Sequence, residues 1–263
     1  MPDLFDKTAI ALERRLYRCR NVITLGVRTN FSDYPAREAE LIRGAEKIYY
    51  PSVFYADILN AMGKDTFPSY HNYKSVQDKI KQTALLEITG APHPRTKTYY
   101  GKRRTEKIRR DFDYPFVAKV PRGSAMGRGV FLIKNETDLA RYTESVYPAY
   151  IQEYLENDRS IRVIIVGQRA VHAYWRIAPT GDFRNNLAVG GTISLDPVPE
   201  EAVFLARATA AQCGWNDVGL DLIPHQGQYF ILEANMKYGR EGLARAGIDY
   251  YALMEEMIAS QEI

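Results

Sequence analysis

Three polar residues interrupt an otherwise apolar hairpin pattern between residues 217 and 239. The stretch reads DVGLDLIPHQGQYFILEANMKYG, and Asp221, Glu233 and Asn235 stand where buried strands usually carry Val or Leu. If the turn is centred on Gly227, Asp221 and Glu233 lie equally far from it and face each other, with Asn235 on the same face. Opposed buried carboxylates are costly without a cation between them.

A divalent cation would meet this requirement. Mg²⁺ or Mn²⁺ prefers oxygen ligands and is commonly held by one or two carboxylates together with phosphate oxygens. The alternative is that Asp221 and Glu233 form structural ion pairs with arginine side chains. The hairpin favours the metal and leaves the ion pairs open.

A lysine followed by a glycine-rich turn suggests a phosphate site. Lys119 is the penultimate residue of the strand pattern YPFVAKV, which is followed by PRGSAMGRG. Backbone N–H groups of such a turn can close over phosphates while the ammonium neutralises their charge. The pattern is neither a Walker A loop nor a dinucleotide-binding fingerprint, and a plain mobile turn stays possible. The candidate ligands in the turn are Gly123, Ser124, Gly127 and Gly129.

Two further segments carry candidate binding groups. The strand IQEYLEND offers a backbone edge for an adenine base, with Glu156 or Asp158 near enough in sequence for a ribose hydroxyl. The segment WRIAPTGDFRNN supplies Arg176, Arg184 and Asn186, which are donors suited to phosphate and carboxylate oxygens. Taken singly, each of these arginines could equally face solvent.

Composition is that of an ordinary soluble globular protein. The chain has 263 residues, 46% hydrophobic and 25% charged, with a net charge of +3. This small excess does not indicate nucleic-acid binding, and we interpret the basic cluster at 101–110 as a solvated helix face or loop. Cys19 and Cys213 have no metal-like spacing and predict neither a disulfide framework nor a zinc site. No signal peptide or membrane-spanning run is visible, so we expect a cytoplasmic protein.

The elements that must position these residues alternate between helix and strand. Ser75 is the expected N-cap of the clearest helix in the first half, which ends at Gly90. The other predicted elements are a short amphipathic helix over 4–18, a strand at 21–27, a helix over 34–45, a strand near 47–52, a hairpin over 114–134, a helix at 136–146, strands at 149–155 and within 161–178, a helix from Pro199 to Gly214, the opening hairpin, and a helix near 249–260.

Taken together, these motifs resemble the ATP-grasp superfamily, and within it the RimK-like amino-acid (glutamate) ligases. The resemblance covers roughly Ser75 to Asp249, and its most specific parts are GDFRNN followed by GG and the Asp…Glu-x-Asn set. It implies an α/β (α+β) ATP-grasp fold in which two subdomains clasp ATP. On this basis we expect a reduced pre-ATP-grasp region at 1–74, a lid subdomain with the glycine-rich loop at 75–150, and a core subdomain with the hinge and metal site at 151–263.

The resemblance also implies roles at matching positions. Lys79 and Lys119 would contact ATP phosphates, and two ions of Mg (or Mn) would be held by the hairpin ligands. The implied reaction is phosphorylation of a carboxylate by ATP, followed by attack of an amine to give an amide or peptide bond. The remaining implied site residues are Gln152, Glu153 and Tyr154 at the adenine, Asp158 near the ribose, Arg184 and Asn186 with Arg176 at the transferred phosphoryl group, and Asp221, Glu233 and Asn235 at the metals.

The chain departs from the family pattern at two places. Ser160 replaces the acid that usually binds the ribose, and NMKYGREG replaces the Ser-Pro and glycine that usually follow the metal-binding asparagine. The second departure lies toward the acceptor side and leaves the substrate open among a metabolite, a peptide and a protein. The alternatives are a nucleotide-binding regulatory module without ligase activity and an ATP-grasp kinase. We expect no nucleic-acid or membrane partner, and a homo-oligomer, as in relatives, is possible.

Overall fold

The computed structural model describes residues 9–123, 129–185 and 190–263. The predicted ligands Ser124, Gly127 and Asn186 lie outside this part of the chain. The described residues form a mixed α/β structure, as predicted, and its strands are arranged in three sheets. None of the helices within them is long and apolar enough to cross a membrane.

The first sheet is parallel, with strand order β2-β1-β3-β4. The helix predicted over 4–18 is wrong in its described part, because residues 9–11 form β1 and Arg14–Leu16 form one 3₁₀ turn. Ala9, Ala11 and Leu12 are all buried, as in a strand covered on both faces. The elements are β1 (Ala9–Ala11), β2 (Val22–Thr24), α1 (Ala36–Gly44), β3 (Lys47–Tyr49), α2 (Ser52–Ala61), β4 (Asp65–Phe67) and α3 (Tyr70–Ser75).

Helix α4 (Lys79–Thr89) follows and ends at Gly90, whose φ of +71° is the left-handed C-terminal conformation expected there. The predicted N-cap is wrong, since Ser75 is the last residue of α3 and Asp78 caps α4. Ser75 is already engaged, because its Oγ accepts a 2.7 Å hydrogen bond from Trp215 Nε1. Asp78 instead accepts from the N–H groups of the first turn.

The second sheet is antiparallel, with strand order β5-β8-β6-β7. The predicted hairpin is confirmed as β6 (Phe116–Lys119) and β7 (Val130–Ile133). Most of the basic cluster at 101–110 lies in α5 (Arg104–Asp111). Ile108 is the one buried residue among the eight of this helix. The other elements are β5 (Thr96–Tyr99), α6 (Glu136–Ser145) and β8 (Ala149–Glu153). The domain boundaries stay predictions.

The third sheet has strand order β11-β10-β9-β12-β13 and contains the opening hairpin. One face carries Ile161, Val163, Val218 and Leu220, which pack against α7. The opposite face carries polar residues described below. The elements are β9 (Arg159–Val166), β10 (Arg169–Ile177), β11 (Thr192–Ser194), α7 (Glu200–Gln212), β12 (Asp217–His225), β13 (Gln228–Asn235), α8 (Glu241–Arg245) and α9 (Tyr250–Ala259).

The hairpin pairs Asp221 with Glu233 as predicted, but by a different route. The turn consists of two residues, Gln226 and Gly227, with φ of +49° and +76°, so it is not centred on Gly227. With that turn alone, the strand register would place Leu232, rather than Glu233, opposite Asp221. A β-bulge between Leu222 and Asp221 adds one residue on β13 and brings Glu233 opposite Asp221.

Candidate active site

One face of the third sheet gathers charged side chains from four neighbouring strands. In the strand register, Asp221 on β12 lies between Arg162 on β9 and Glu233 on β13. Arg176 on β10 comes from the far side of β9 and reaches the same carboxylate. Alternation along each strand explains this arrangement, because the intervening residues face the apolar core.

Asp221 is held by four hydrogen-bond donors and is only 4% exposed. Arg162 donates from Nε to Oδ1 and, at 2.9 Å, from an Nη to Oδ2. Arg176 lies 2.9 Å from Oδ1, and Asn235 Nδ2 lies 3.3 Å from Oδ2. Burial would raise the pKa of Asp221, but the two guanidinium groups hold it below its ordinary value. A carboxylate has about four acceptor positions, so this one is fully satisfied.

Glu233 lies between two lysines from different elements. Lys79 Nζ, at the start of α4, is 3.1 Å from Glu233 Oε1. Lys119, at the end of β6, is 6% exposed. Burial lowers the pKa of Lys119 to about 8, while the Glu233 carboxylate opposes the shift and Lys79 adds to it. Among the described residues, the four buried cations Lys79, Lys119, Arg162 and Arg176 therefore face two carboxylates, an excess of two positive charges.

The glycine-rich turn begins and ends beside these lysines. Its described glycines, Gly123 and Gly129, have φ of +68° and +73°, in the left-handed region that favours glycine. Lys79 N donates to Pro121 O at 3.0 Å, and Val120 N donates to Gly129 O at 2.7 Å. The start of α4 and both ends of the turn are thus tied to the strand that carries Lys119.

A pocket opens over this charged face between the second and third sheets. Its apolar walls include Val117, Leu155, Ile223 and Leu232, which suit a flat base. The pocket lining brings together most of the predicted site residues, namely Lys119, Gln152, Glu153, Tyr154, Arg176, Arg184, Asp221 and Glu233.

The predicted arginines occupy different settings. Arg176 is buried, and its Nε has no hydrogen-bond partner among the described residues, although it lines the pocket. Ser160, where the resemblance leads us to expect an acid, accepts a 3.2 Å hydrogen bond from Arg176. Arg184 also lines the pocket and pairs with Asp182 at 2.7 Å. Asp158 is exposed, pairs with Arg159 at 3.1 Å and is absent from the described pocket lining.

Sequence reasoning missed three polar residues of this site, Arg162, Asn157 and Asn185. Arg162 stands inside the apolar run IRVIIV, and a buried charge at that position was a signal for a paired carboxylate. Asn185 lines the pocket, whereas the predicted site residue was its neighbour Asn186. The sequence contains no comparable sign for Asn185.

The side-chain oxygens of Glu233 and Asn235 are of the type that a hard divalent cation prefers. Glu233 and Asn235 project from one face of β13, and Glu233 keeps acceptor capacity beyond its contact with Lys79. Within the described ranges, no three His, Cys, Asp or Glu side chains group as metal ligands, and the third predicted ligand is an amide. Asp221 could become a metal ligand together with Glu233 and Asn235 only if Arg162 or Arg176 moved away from its carboxylate. In the structure, Asp221 forms the ion pairs with arginine that were the alternative to a metal site.

A sequence model of the RimK-like ATP-grasp domain matches residues 76–258. This chain belongs to the RimK-like ATP-grasp family. ATP-grasp enzymes use ATP and divalent metal ions. The lysines and arginines around the pocket are residue types that bind phosphates, and its carboxylate and amide oxygens are types that bind such ions.

Two relatives illustrate the similarity in sequence. The chain is 32% identical over 181 residues to a probable alpha-L-glutamate ligase of Alkalilimnicola ehrlichii, covering 65% of this chain and 58% of the relative. It is 28% identical over 181 residues to beta-citrylglutamate synthase B of Danio rerio, covering 65% and 44%. The chain thus spans about half the length of the curated relatives it matches.

Solved structures show the same fold at low sequence identity. The ATP-grasp ligase PsnB in complex with a minimal precursor has a TM-score of 0.68 at 17% identity, covering 97% of this chain and 99% of that one. D-alanine–D-alanine ligase from Bacillus anthracis has a TM-score of 0.65 at 13% identity, covering 90% and 85%. The ATP-grasp fold is therefore shown over nearly the whole chain.

Proposed function

We propose that this protein is an ATP- and Mg²⁺-dependent ligase that joins a carboxylate to an amine. The observation that carries the proposal is the excess of two buried positive charges, counted over the described residues, around a pocket with apolar walls. A net buried charge is costly, so a polyanionic ligand is the economical counterpart. The unpartnered Nε of Arg176 is one donor that such a ligand could use.

In this proposal, a substrate carboxylate oxygen attacks the γ-phosphorus of ATP and ADP leaves. An amine nitrogen then attacks the acyl carbon of the acyl phosphate, phosphate leaves, and the nitrogen loses a proton to give an amide. Lys119, Lys79 and Arg176 would hold phosphate oxygens and offset the charge that develops on them. The two metal ions expected at Glu233, Asn235 and Asp221 would supply further charge neutralisation when bound.

The resemblance and the relatives support an amino acid such as glutamate as one substrate. The relatives named above are described as a glutamate ligase and a citrylglutamate synthase. The acceptor could be a small molecule, a peptide or a protein.

Mass spectrometry of reaction products tests the proposal. The protein is incubated with ATP, Mg²⁺, pooled amino acids, citrate and short peptides, and ADP and phosphate are measured in parallel. We expect a product equal in mass to two substrates less one water, with ADP and phosphate in equal amounts. Glu233→Gln should abolish it, whereas Glu144→Gln, at an exposed position on α6, should not.

Other outcomes identify the alternatives. A stable phosphorylated product without an amide would indicate a kinase. ATP binding without ADP release across the whole panel would indicate a regulatory module. Absence of any Mg²⁺-dependent nucleotide binding would refute the proposed use of ATP.

A further inference from the structure

The predicted metal ligands Glu233 and Asn235 stand on a strand at the edge of its sheet. Among the described strands of the third sheet, β13 has a neighbour only on the β12 side. The outer side of such a strand presents backbone N–H and C=O groups, which are costly when they are buried without partners. Ala234, between the two ligands, is 1% exposed. Its backbone therefore requires partners from outside the sheet.

The side chain of Gln82 on α4 supplies both partners. Ala234 N donates to Gln82 Oε1 at 2.9 Å, and Gln82 Nε2 donates to Ala234 O at 2.9 Å. The same Nε2 also donates to Val76 O at 2.6 Å, which fixes the orientation of the amide. Gln82 is 4% exposed. Because an amide side chain carries a donor and an acceptor, Gln82 takes the place of a peptide group of a neighbouring strand.

These hydrogen bonds hold the backbone on both sides of Ala234. Its N–H belongs to the planar peptide group that joins Glu233 to Ala234, and its C=O belongs to the one that joins Ala234 to Asn235. Side chains alternate along a strand, so Glu233 and Asn235 share the charged face while Ala234 packs in the apolar core. Gln82 thus restrains the two peptide groups from which the predicted ligands project.

Gln82 also ties β13 to the helix that carries Lys79. Lys79 lies one turn earlier on α4, and its Nζ is 3.1 Å from Glu233 Oε1. Thr83, the next residue, shares a 2.7 Å hydrogen bond between its Oγ1 and Tyr150 OH on β8. Helix α4 is therefore joined to both sheets beside the pocket. Gln82 is not among the described residues that line this pocket, so it acts through the backbone of β13.

We propose that Gln82 is a positioning residue that holds Glu233 and Asn235 at the separation needed to bind Mg²⁺ together with a nucleotide. This inference rests on the use of Mg²⁺ in the proposed function. Without the amide, the peptide groups beside Ala234 lose their partners and the ligands are no longer fixed relative to Lys79. Groups that orient metal ligands typically contribute about 10- to 100-fold to metal affinity. We expect a loss of about tenfold, because β12 still pairs with β13.

Calorimetric titrations with ADP, in Mg²⁺ and in EDTA, measure how much the metal strengthens nucleotide binding. Gln82→Met removes the hydrogen bonds at similar side-chain length. In this variant the strengthening by Mg²⁺ should fall about tenfold, whereas the affinity in EDTA should match that of the wild type. Leu86→Val, at a buried position one turn further along α4, is the matched control. It should lower stability through packing and leave both affinities unchanged.

Hydrogen exchange of the protein without nucleotide tests the same hydrogen bonds in the absence of metal. Ala234 N–H should exchange faster in Gln82→Met. Ile231 N–H, which donates to Pro92 O at 2.8 Å on the same strand, should keep its rate.

Two results would overturn the positioning role while leaving the ligase proposal intact. One is exchange at Ala234 that is accelerated no more than exchange at Ile231. The other is an unchanged effect of Mg²⁺ on the ADP affinity of Gln82→Met. If Mg²⁺ does not strengthen ADP binding by the wild type, both the positioning role and the proposed use of Mg²⁺ are refuted.

Discussion

Binding of ATP at pH 8 should take up protons through Lys119. Burial lowers the pKa of Lys119 to about 8, with the Glu233 carboxylate opposing the shift. About half of these side chains are therefore neutral at pH 8. Phosphate oxygens beside the amine favour the charged form and return its pKa toward the ordinary value. We therefore expect uptake of about 0.5 proton per ATP at pH 8 and about 0.1 at pH 7.

Isothermal titration calorimetry in two buffers with different ionisation enthalpies measures this uptake directly. The slope of the binding enthalpy against the buffer ionisation enthalpy equals the number of protons taken up. At pH 8 the phosphate groups themselves are deprotonated, since their second pKa lies near 6. The affinity for ATP should also fall as the pH rises through about 8, because a neutral Lys119 must first gain a proton to neutralise phosphate.

Lys119→Arg is the matched control, because its guanidinium stays charged at every accessible pH. Its binding of ATP should show no proton uptake at pH 8. The same uptake in this variant, or tight binding by the wild type with no uptake, would refute the burial of Lys119 beside the phosphates.

Three further predictions concern stability, and urea unfolding of the protein without nucleotide measures each. Asp221→Ala should lower the free energy of unfolding by about 3–5 kcal/mol, because Arg162 and Arg176 lose their buried partner; Glu233→Gln keeps a hydrogen-bond acceptor beside Lys79 and should cost less than Asp221→Ala, and equal losses would contradict this difference. Gly242→Ala should cost roughly 1–3 kcal/mol, because a Cβ there would lie 2.2 Å from Tyr174 Cε1, whereas Gly44→Ala has open space and should not destabilise. Asp78→Ala should cost about 1 kcal/mol by removing the cap of α4, and an unchanged free energy of unfolding would contradict this cap.

The sequence alone determined many of the local elements and the chemical character of the site. Periodicity predicted the hairpin of β6 and β7 and helices α1, α6, α7 and α9, since these patterns depend on neighbours within one element. Carboxylates inside an apolar strand marked the face where the charges gather. The combined motifs indicated the family, because a motif consists of residue types at fixed spacings and can be identified without knowing which side chains are in contact.

The tertiary structure alone decided which groups meet. Asp221 pairs with Arg162 from a strand 59 residues away in sequence, and no local pattern specifies that partner. The β-bulge that aligns Glu233 with Asp221, and the burial that lowers the pKa of Lys119, likewise arise from packing between strands. Residues 9–11 form a strand rather than a helix because both faces of the parallel sheet are covered. Such contacts join residues distant in sequence, so the spacing along the chain does not encode them.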